Sequence, residues 1–311
     1  MDLGCEKVKK EIFMVADMHT KQNREKRVHG ERIPIPVSGR DVETVFYRAD
    51  SKDAPTLFTA FGGGFVMGGC ALDDNMWTSI SRDAQVNIIS IGYRKTPEYQ
   101  FPAALDDVYE TMCCICEHAE EYGINPEKAA IMGASAGGNL AAAATLMDRR
   151  NGTDYIKLLI LNYPYLDLAT PPEKKGHQGG EIFLYRLFPE LYASEDELRN
   201  PLVSPLYAGS QELEKLPPVY ITVAGDDVLQ DEGKAFADKI CDAGGKAEVN
   251  TAEKMPHGYL ETWFNLTDPE ANPATMFLPE ETKLLYENGK LEKEEQKTCE
   301  FIKRAIRDTF N

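Results

Sequence analysis

Three kinds of reactive side chain stand where acyl transfer would want them: a serine between glycines, a histidine in a turn, and a carboxylate pair behind an apolar run. A nucleophilic serine needs a base within hydrogen-bond reach, an acid to orient that base and donors for the oxyanion. Ser135 lies in Gly133-Ala134-Ser135-Ala136-Gly137. Small residues on both sides allow a tight bend that lifts the hydroxyl clear of a strand-to-helix turn, with a helix N-terminus beneath it. Small residues also gather at helix starts for packing alone, so the pentapeptide by itself leaves both readings open. Of five histidines, His257 is the best placed, in the turn Met255-Pro256-His257-Gly258-Tyr259, with a plain surface-loop histidine as the alternative. Asp226 and Asp227 follow the apolar run Val219–Ala224 directly. Ligand and catalytic groups gather at such strand ends in open α/β sheets. Asp231 and Glu232 read as first-turn helix charges. The run Phe61-Gly62-Gly63-Gly64-Phe65 offers backbone N–H groups that no side chain obstructs. It lacks both the Gly-Lys-Ser/Thr ending of a phosphate loop and the Gly-x-Gly-x-x-Gly spacing, so no nucleotide site is expected.

Each of these groups needs an element to hold it, and the chain reads as strands alternating with helices. Strand-like runs fall at 42–48, 56–60, 86–93, 129–132, 157–162, 219–224 and 247–251, with helical patterns at 75–84, 103–122, 139–149 and 229–243 between most of them. This alternation predicts a mostly parallel sheet covered on both faces. Ahead of it, an amphipathic helix leads into a polar connection that ends at Ile33-Pro34-Ile35-Pro36. From about residue 169 to 216 the rhythm breaks, with Pro171-Pro172, glycines at 176–180 and the aromatics Phe183, Tyr185, Phe188 and Tyr192. Connections this long are usually functional. The segment predicts a cap over the site, a helical insertion on the sheet edge being the alternative. Cys299, Ile302, Ile306 and Phe310 recur at helical spacing and predict a closing helix. The stretch 265–293 before it, with Pro269, Pro273, Met276, Phe277 and Pro279, reads equally as a pocket entrance, a subunit contact or a solvated excursion.

Composition narrows the function classes. A formal net charge of −17, with no basic block to offset it, repels phosphate backbones and anionic headgroups, so nucleic acid is not an expected partner. No apolar run approaches the roughly 20 residues of a membrane span, and the charged N-terminus lacks a signal peptide's apolar core, so a cytoplasmic location is expected. Seven cysteines at irregular spacing suit reduced thiols. Cys113, Cys114 and Cys116, with His118 nearby, point in different directions on one helix and predict buried thiols rather than a metal site.

Seven blocks in order resemble the hormone-sensitive-lipase-like family of α/β-hydrolase esterases over roughly residues 55 to 260. They are Phe61–Phe65, Tyr93–Glu98 with Phe101–Ala104, Gly133–Gly138, Tyr163-Pro164, Ser204–Leu206, Asp227–Gly233 and His257–Tyr259. The resemblance implies an α/β-hydrolase fold with a mostly parallel central sheet, helices on both faces and a helical cap. Residues 1–35 would form an N-terminal cap segment, 169–216 the cap insertion, and 36–168 with 217–311 the core. It further implies Ser135 as nucleophile, Asp227 as acid and His257 as base, with Gly63, Gly64 and Ala136 as oxyanion donors. Asp227 is preferred to Asp226 because the family's Asp-Pro-Leu-x-Asp-Glu-Gly matches Asp227–Gly233. The implied activity is a serine carboxylesterase acting on small, short-chain acetyl-type esters without cofactor or metal, alone or as a homo-oligomer. A ligand-binding protein on the same scaffold and a peptidase or amidase remain as alternatives. His257 separates this chain from the plant hormone receptors resembling the family, which have lost the base. Three departures stand out: Phe61 for the histidine that opens the glycine motif, Ala134 for aspartate and Val228 for proline. Phe61 removes a polar side chain from the glycine loop and leaves packing alone to hold it, and this loss is expected to be compensated locally with activity retained.

Overall fold

A computed structural model describes residues 3–51, 53–176, 181–267 and 280–310. The chain opens with helix α1 (Leu3–Glu25) and two short strands, β1 (Glu31–Arg32) and β2 (Ile35–Val37), both antiparallel to β3 (Arg40–Tyr47). The polar connection read from the sequence is therefore partly a strand. Ile35 registers with Val42 and is fully buried, and Pro36 is tolerated because β2 pairs on one side only.

Beyond β3 lies the sheet proper. β3 is antiparallel to β5 (Asn87–Gly92), and in spatial order β5, β4 (Thr56–Ala60), β6 (Ala129–Ala134), β7 (Ile156–Asn162), β8 (Val219–Ala224) and β9 (Ala247–Ala252) run parallel. These strands are apolar at successive positions because both faces are covered, and side-chain alternation sorts them into two cores. Phe58, Ile89, Ile131 and Leu159 face one core, with α3 (Ala103–Glu117), α5 (Ala136–Asn151) and α8 (Gln230–Asp242). Leu57, Ile88, Met132 and Ile160 face the other, with α2 (Asp74–Ala84), α9 (Tyr259–Thr267) and α11 (Lys290–Phe310). The closing helix α11 buries Cys299, Ile302 and Ile306.

The helix read over 103–122 is two: α3 stops where His118 leaves helical dihedrals, and α4 (Ala119–Tyr122) follows. Cys116 is buried while Cys113 and Cys114 are half-buried, and burial pushes the Cys113 thiol up to about 12. No metal-binding group of three His, Cys, Asp or Glu occurs among the described residues. Within 169–216 the α-helices among the described residues are α6 (Glu181–Tyr192) and the short α7 (Ser210–Leu213), with single 3₁₀ turns at Pro172–Lys175 and Pro205–Tyr207. A further helix, α10 (Glu280–Glu287), precedes α11. His177, most of the glycine patch, and Pro269, Pro273, Met276, Phe277 and Pro279 lie outside the described residues. Among the described residues no helix is long and apolar enough to cross a membrane.

Candidate active site

Strand order decides which loops meet. Because β4 pairs with β6, Ala60 registers with Gly133, so the glycine loop after one strand and Ser135 after the other emerge side by side. The spatial order reverses direction around β4, the kind of switch point where open α/β sheets bind ligands. At Ser135 the backbone takes φ 54°, ψ −119°, a strained region for a residue with a side chain. Three hydrogen bonds fix it. Its N–H donates to the Asn162 carbonyl at 3.0 Å, and its own carbonyl accepts from Asn139 and Tyr165, both at 3.1 Å. The flanking glycines are required by contact: a methyl on Gly137 would fall on the Ala60 carbonyl, and one on Gly133 on that of Gly137.

The acid and base arrive on adjoining loops. Asp227 follows β8 and His257 follows β9, and the two loops are joined where Asp226 N–H donates to the Met255 carbonyl at 3.0 Å. Asp226 points to solvent, whereas the Asp227 side chain is 1% exposed. Asp227 Oδ1 accepts from Leu229 N–H at 3.0 Å and Oδ2 faces His257 Nδ1 at 2.6 Å. A carboxylate can only accept, so Nδ1 carries the proton and Nε2 is left to accept from Ser135 Oγ, 2.8 Å away. The structure thus joins Ser135, His257 and Asp227 in one hydrogen-bonded chain. Such a chain can strip a proton from the serine and deliver it to a leaving group.

Gly63, at φ 120°, and Gly64, at φ 62°, adopt backbone that disfavours side chains. Their N–H groups and that of Ala136 find no acceptor among the described residues, which leaves them available to an oxyanion. The loop is held by more than packing, contrary to the sequence reading. Phe61 stacks on Tyr93 with ring centroids 4.0 Å apart and planes at 11°, and Tyr93 Oη donates to the Phe61 carbonyl at 2.7 Å. The ring in the histidine's place gains a partner whose hydroxyl bonds the loop.

Above these groups is a cavity of about 370 Å³. Met67, Leu72, Tyr165, Leu184, Tyr185 and Phe188 supply much of its apolar lining, and Phe183 does not reach it. α6 lies against the glycine loop, with Tyr192 stacked on Phe65 at 3.9 Å and Phe188 against Gly64. His19 of α1 lines the cavity too and accepts from Gly68 N–H at 3.1 Å. Asn265 also reaches it, which places the start of the 265–293 stretch at the pocket.

Several pocket groups escape a motif reading. His19 stands 116 positions before Ser135 in the chain, with no spacing to flag it. Asp73 precedes α2 and Glu261 follows His257 by four, a spacing that would have marked it as a neighbour. Tyr163 Oη donates to Glu261, and its ring sits edge-on to His257 with centroids 5.2 Å apart. Burial holds the Tyr163 hydroxyl and the Glu261 carboxyl above their ordinary ranges. Glu232 sits in the first turn of α8, as the sequence reading has it, but its surroundings go beyond that reading. It is buried, accepting from Leu166 and Asp167 N–H at 2.7 and 2.8 Å and from Lys175 at 2.8 Å, and burial pushes it up to about 7 against the pull of that lysine.

Comparison with known proteins agrees with this architecture. An α/β-hydrolase fold family profile matches residues 57–261. The esterase LipI of Mycobacterium tuberculosis is 32% identical over 215 residues, covering 68% of this chain and 67% of its own. The carboxylesterase NlhH of the same organism is 30% identical, over 71% of this chain and 70% of its own. Among solved structures, the thermostable carboxylesterase EstE1 from a metagenomic library superposes with a TM-score of 0.77 at 25% identity, covering 99% of this chain and 98% of its own. The chain belongs to the α/β-hydrolase fold family, in its hormone-sensitive-lipase-like group of carboxylic ester hydrolases.

Proposed function

We propose that this chain is a serine carboxylesterase that cleaves small, short-chain esters of the acetyl type through a covalent acyl-enzyme. His257 Nε2 takes the Ser135 proton as Oγ bonds to the ester carbonyl carbon, and the carbonyl electron pair moves onto oxygen. That oxyanion is met by the N–H groups of Gly63, Gly64 and Ala136. Collapse expels the alcohol oxygen, which takes the proton from the imidazolium, and Asp227 stabilises the cation in the interval. Water, deprotonated by the same nitrogen, then repeats the sequence on the acyl-enzyme and frees the acid. The observation that carries the reading is the unbroken run from Ser135 Oγ through His257 to Asp227, at 2.8 and 2.6 Å.

The short-chain preference rests on the modest cavity and on the bulk of Leu184, Tyr185 and Phe188 in its lining. We assign α1 and α6 to the cap on the same grounds, since His19 and Phe188 both line the cavity. An aryl ester panel from acetyl to octanoyl tests both claims. Turnover should be greatest at the short end and absent in Ser135→Ala. Equal turnover along the series would defeat the chain-length claim, and substantial turnover by the alanine variant would defeat the mechanism.

A further inference from the structure

One part of the cavity wall is acidic. Asp73, in the turn before α2, and Glu261, on α9 one turn past His257, both line the space above Ser135. Glu261 accepts from Tyr163 Oη, which supplies one donor. Asp73 has less. Although it immediately precedes α2 and its backbone carbonyl accepts from Trp77 N–H, its side chain does not cap the helix, and its carboxyl group takes no hydrogen bond among the described residues. Burial and the charge of Glu261 together push Asp73 up to about 7, against the opposing charge of Lys26. Lys26 itself donates to the Leu72 carbonyl at 3.1 Å. An acid held this way in an apolar enclosure is costly to ionise without a partner. A ligand that carried its own cation would supply that partner.

We propose that Asp73 and Glu261 make this site selective for esters that carry a positively charged ammonium group. The proposal rests on the ester-hydrolase reading above and adds the substrate class. Two features favour a cation over other polar groups. Both carboxylates line the one cavity and stand near enough for the charge of Glu261 to act on Asp73, so an ammonium bound there meets the field of both. The surrounding protein, at net charge −17, draws cations toward its clefts. Neutral esters remain substrates, because burial raises both acids and so favours their uncharged forms when no cation is bound. Esters bearing a carboxylate are disfavoured, since like charges would be forced together.

A matched pair of acetates tests this without depending on absolute rates: choline acetate and its uncharged carbon isostere, dimethylbutyl acetate. The ratio of their kcat/KM values, cationic over neutral, should exceed one and fall about tenfold in Asp73→Asn and in Glu261→Gln, each losing one partner charge. A wild-type ratio at or below one, or a ratio that neither variant moves, overturns the proposal. If the neutral ester is turned over, and lost in Ser135→Ala, while the ratio stays fixed, the acid wall fails and the esterase reading survives. No turnover of either acetate or of an aryl acetate would fail the esterase reading itself. Tetramethylammonium gives a second measurement on folded protein. It should compete with a neutral aryl ester about tenfold more tightly in the wild type than in Asp73→Asn, and equal inhibition constants count against the acid wall.

Discussion

The floor of the pocket and its walls are built on different terms. The floor carries Ser135, Asp227 and His257 on strand ends, where backbone hydrogen bonds fix each loop and the three side chains bond to one another. The walls come from α1, the turn before α2, α6 and α9, held by aromatic stacking and containing a carboxylate with no donor of its own among the described residues. Groups that must share protons are set within hydrogen-bond distance by a rigid frame. Groups that only choose the substrate can rest on looser packing, and can change without disturbing the frame. Variants at the floor should therefore cost rate, and variants at the walls should alter preference.

The sharpest way to break that division begins at the floor. Ser135→Ala should reduce kcat on the order of 10⁶-fold with an unchanged thermal transition. Asp227→Asn should cost about 10⁴-fold by upsetting the imidazole tautomer, and a loss under tenfold would mean that the acid is dispensable. Tyr93→Phe removes only the hydroxyl that bonds the Phe61 carbonyl. It should lower kcat by about tenfold while leaving KM little changed, because the glycine loop loses a restraint and no substrate contact. A change in KM alone would move Tyr93 from the floor to the walls.

Wall variants should act more mildly. Phe188→Ala enlarges the cavity beside Gly64 and should raise the ratio of octanoyl to acetyl turnover several-fold. Asp73→Asn should act on stability through pH. Asp73 in the folded protein holds its proton up to about 7, whereas the unfolded chain releases it near the ordinary aspartate value of about 4. Between those limits the folded state binds more protons, so this group makes stability fall as pH rises. The variant should flatten that decline, as read from thermal unfolding at a series of pH values. An unaltered slope would show that Asp73 ionises freely.

The same division governs what the sequence discloses. The floor was readable because strand, turn and helix are contiguous. Gly133–Gly137, Asp227–Gly233 and His257–Tyr259 each hold one member of the hydrogen-bonded chain and the small residues that shape its turn within a few positions. Central strands such as Leu158–Leu161 were equally plain, since burial on both faces leaves an unbroken apolar run. The walls were not. His19 and Asp73 are brought to the site by the packing of α1 and α2, and nothing local marks them, whereas Glu261 carries a local sign, four residues past His257. At Phe61 the sequence displays the missing histidine but not the ring of Tyr93 that compensates for it by stacking. The burial of Glu232 is hidden for a related reason: its donors, Leu166 and Asp167, follow a different strand.

That glutamate also limits how the enzyme could be re-engineered. Segments such as 169–216 are attractive pieces to exchange between related proteins when a new specificity is wanted. Lys175 lies inside that piece and bonds Glu232, which stays behind on α8, five residues past Asp227. A transplanted segment lacking a cation at that place would leave a buried carboxylate with only two backbone donors, close in sequence to Asp227. Successful chimeras should be those that carry the lysine along or replace both partners together.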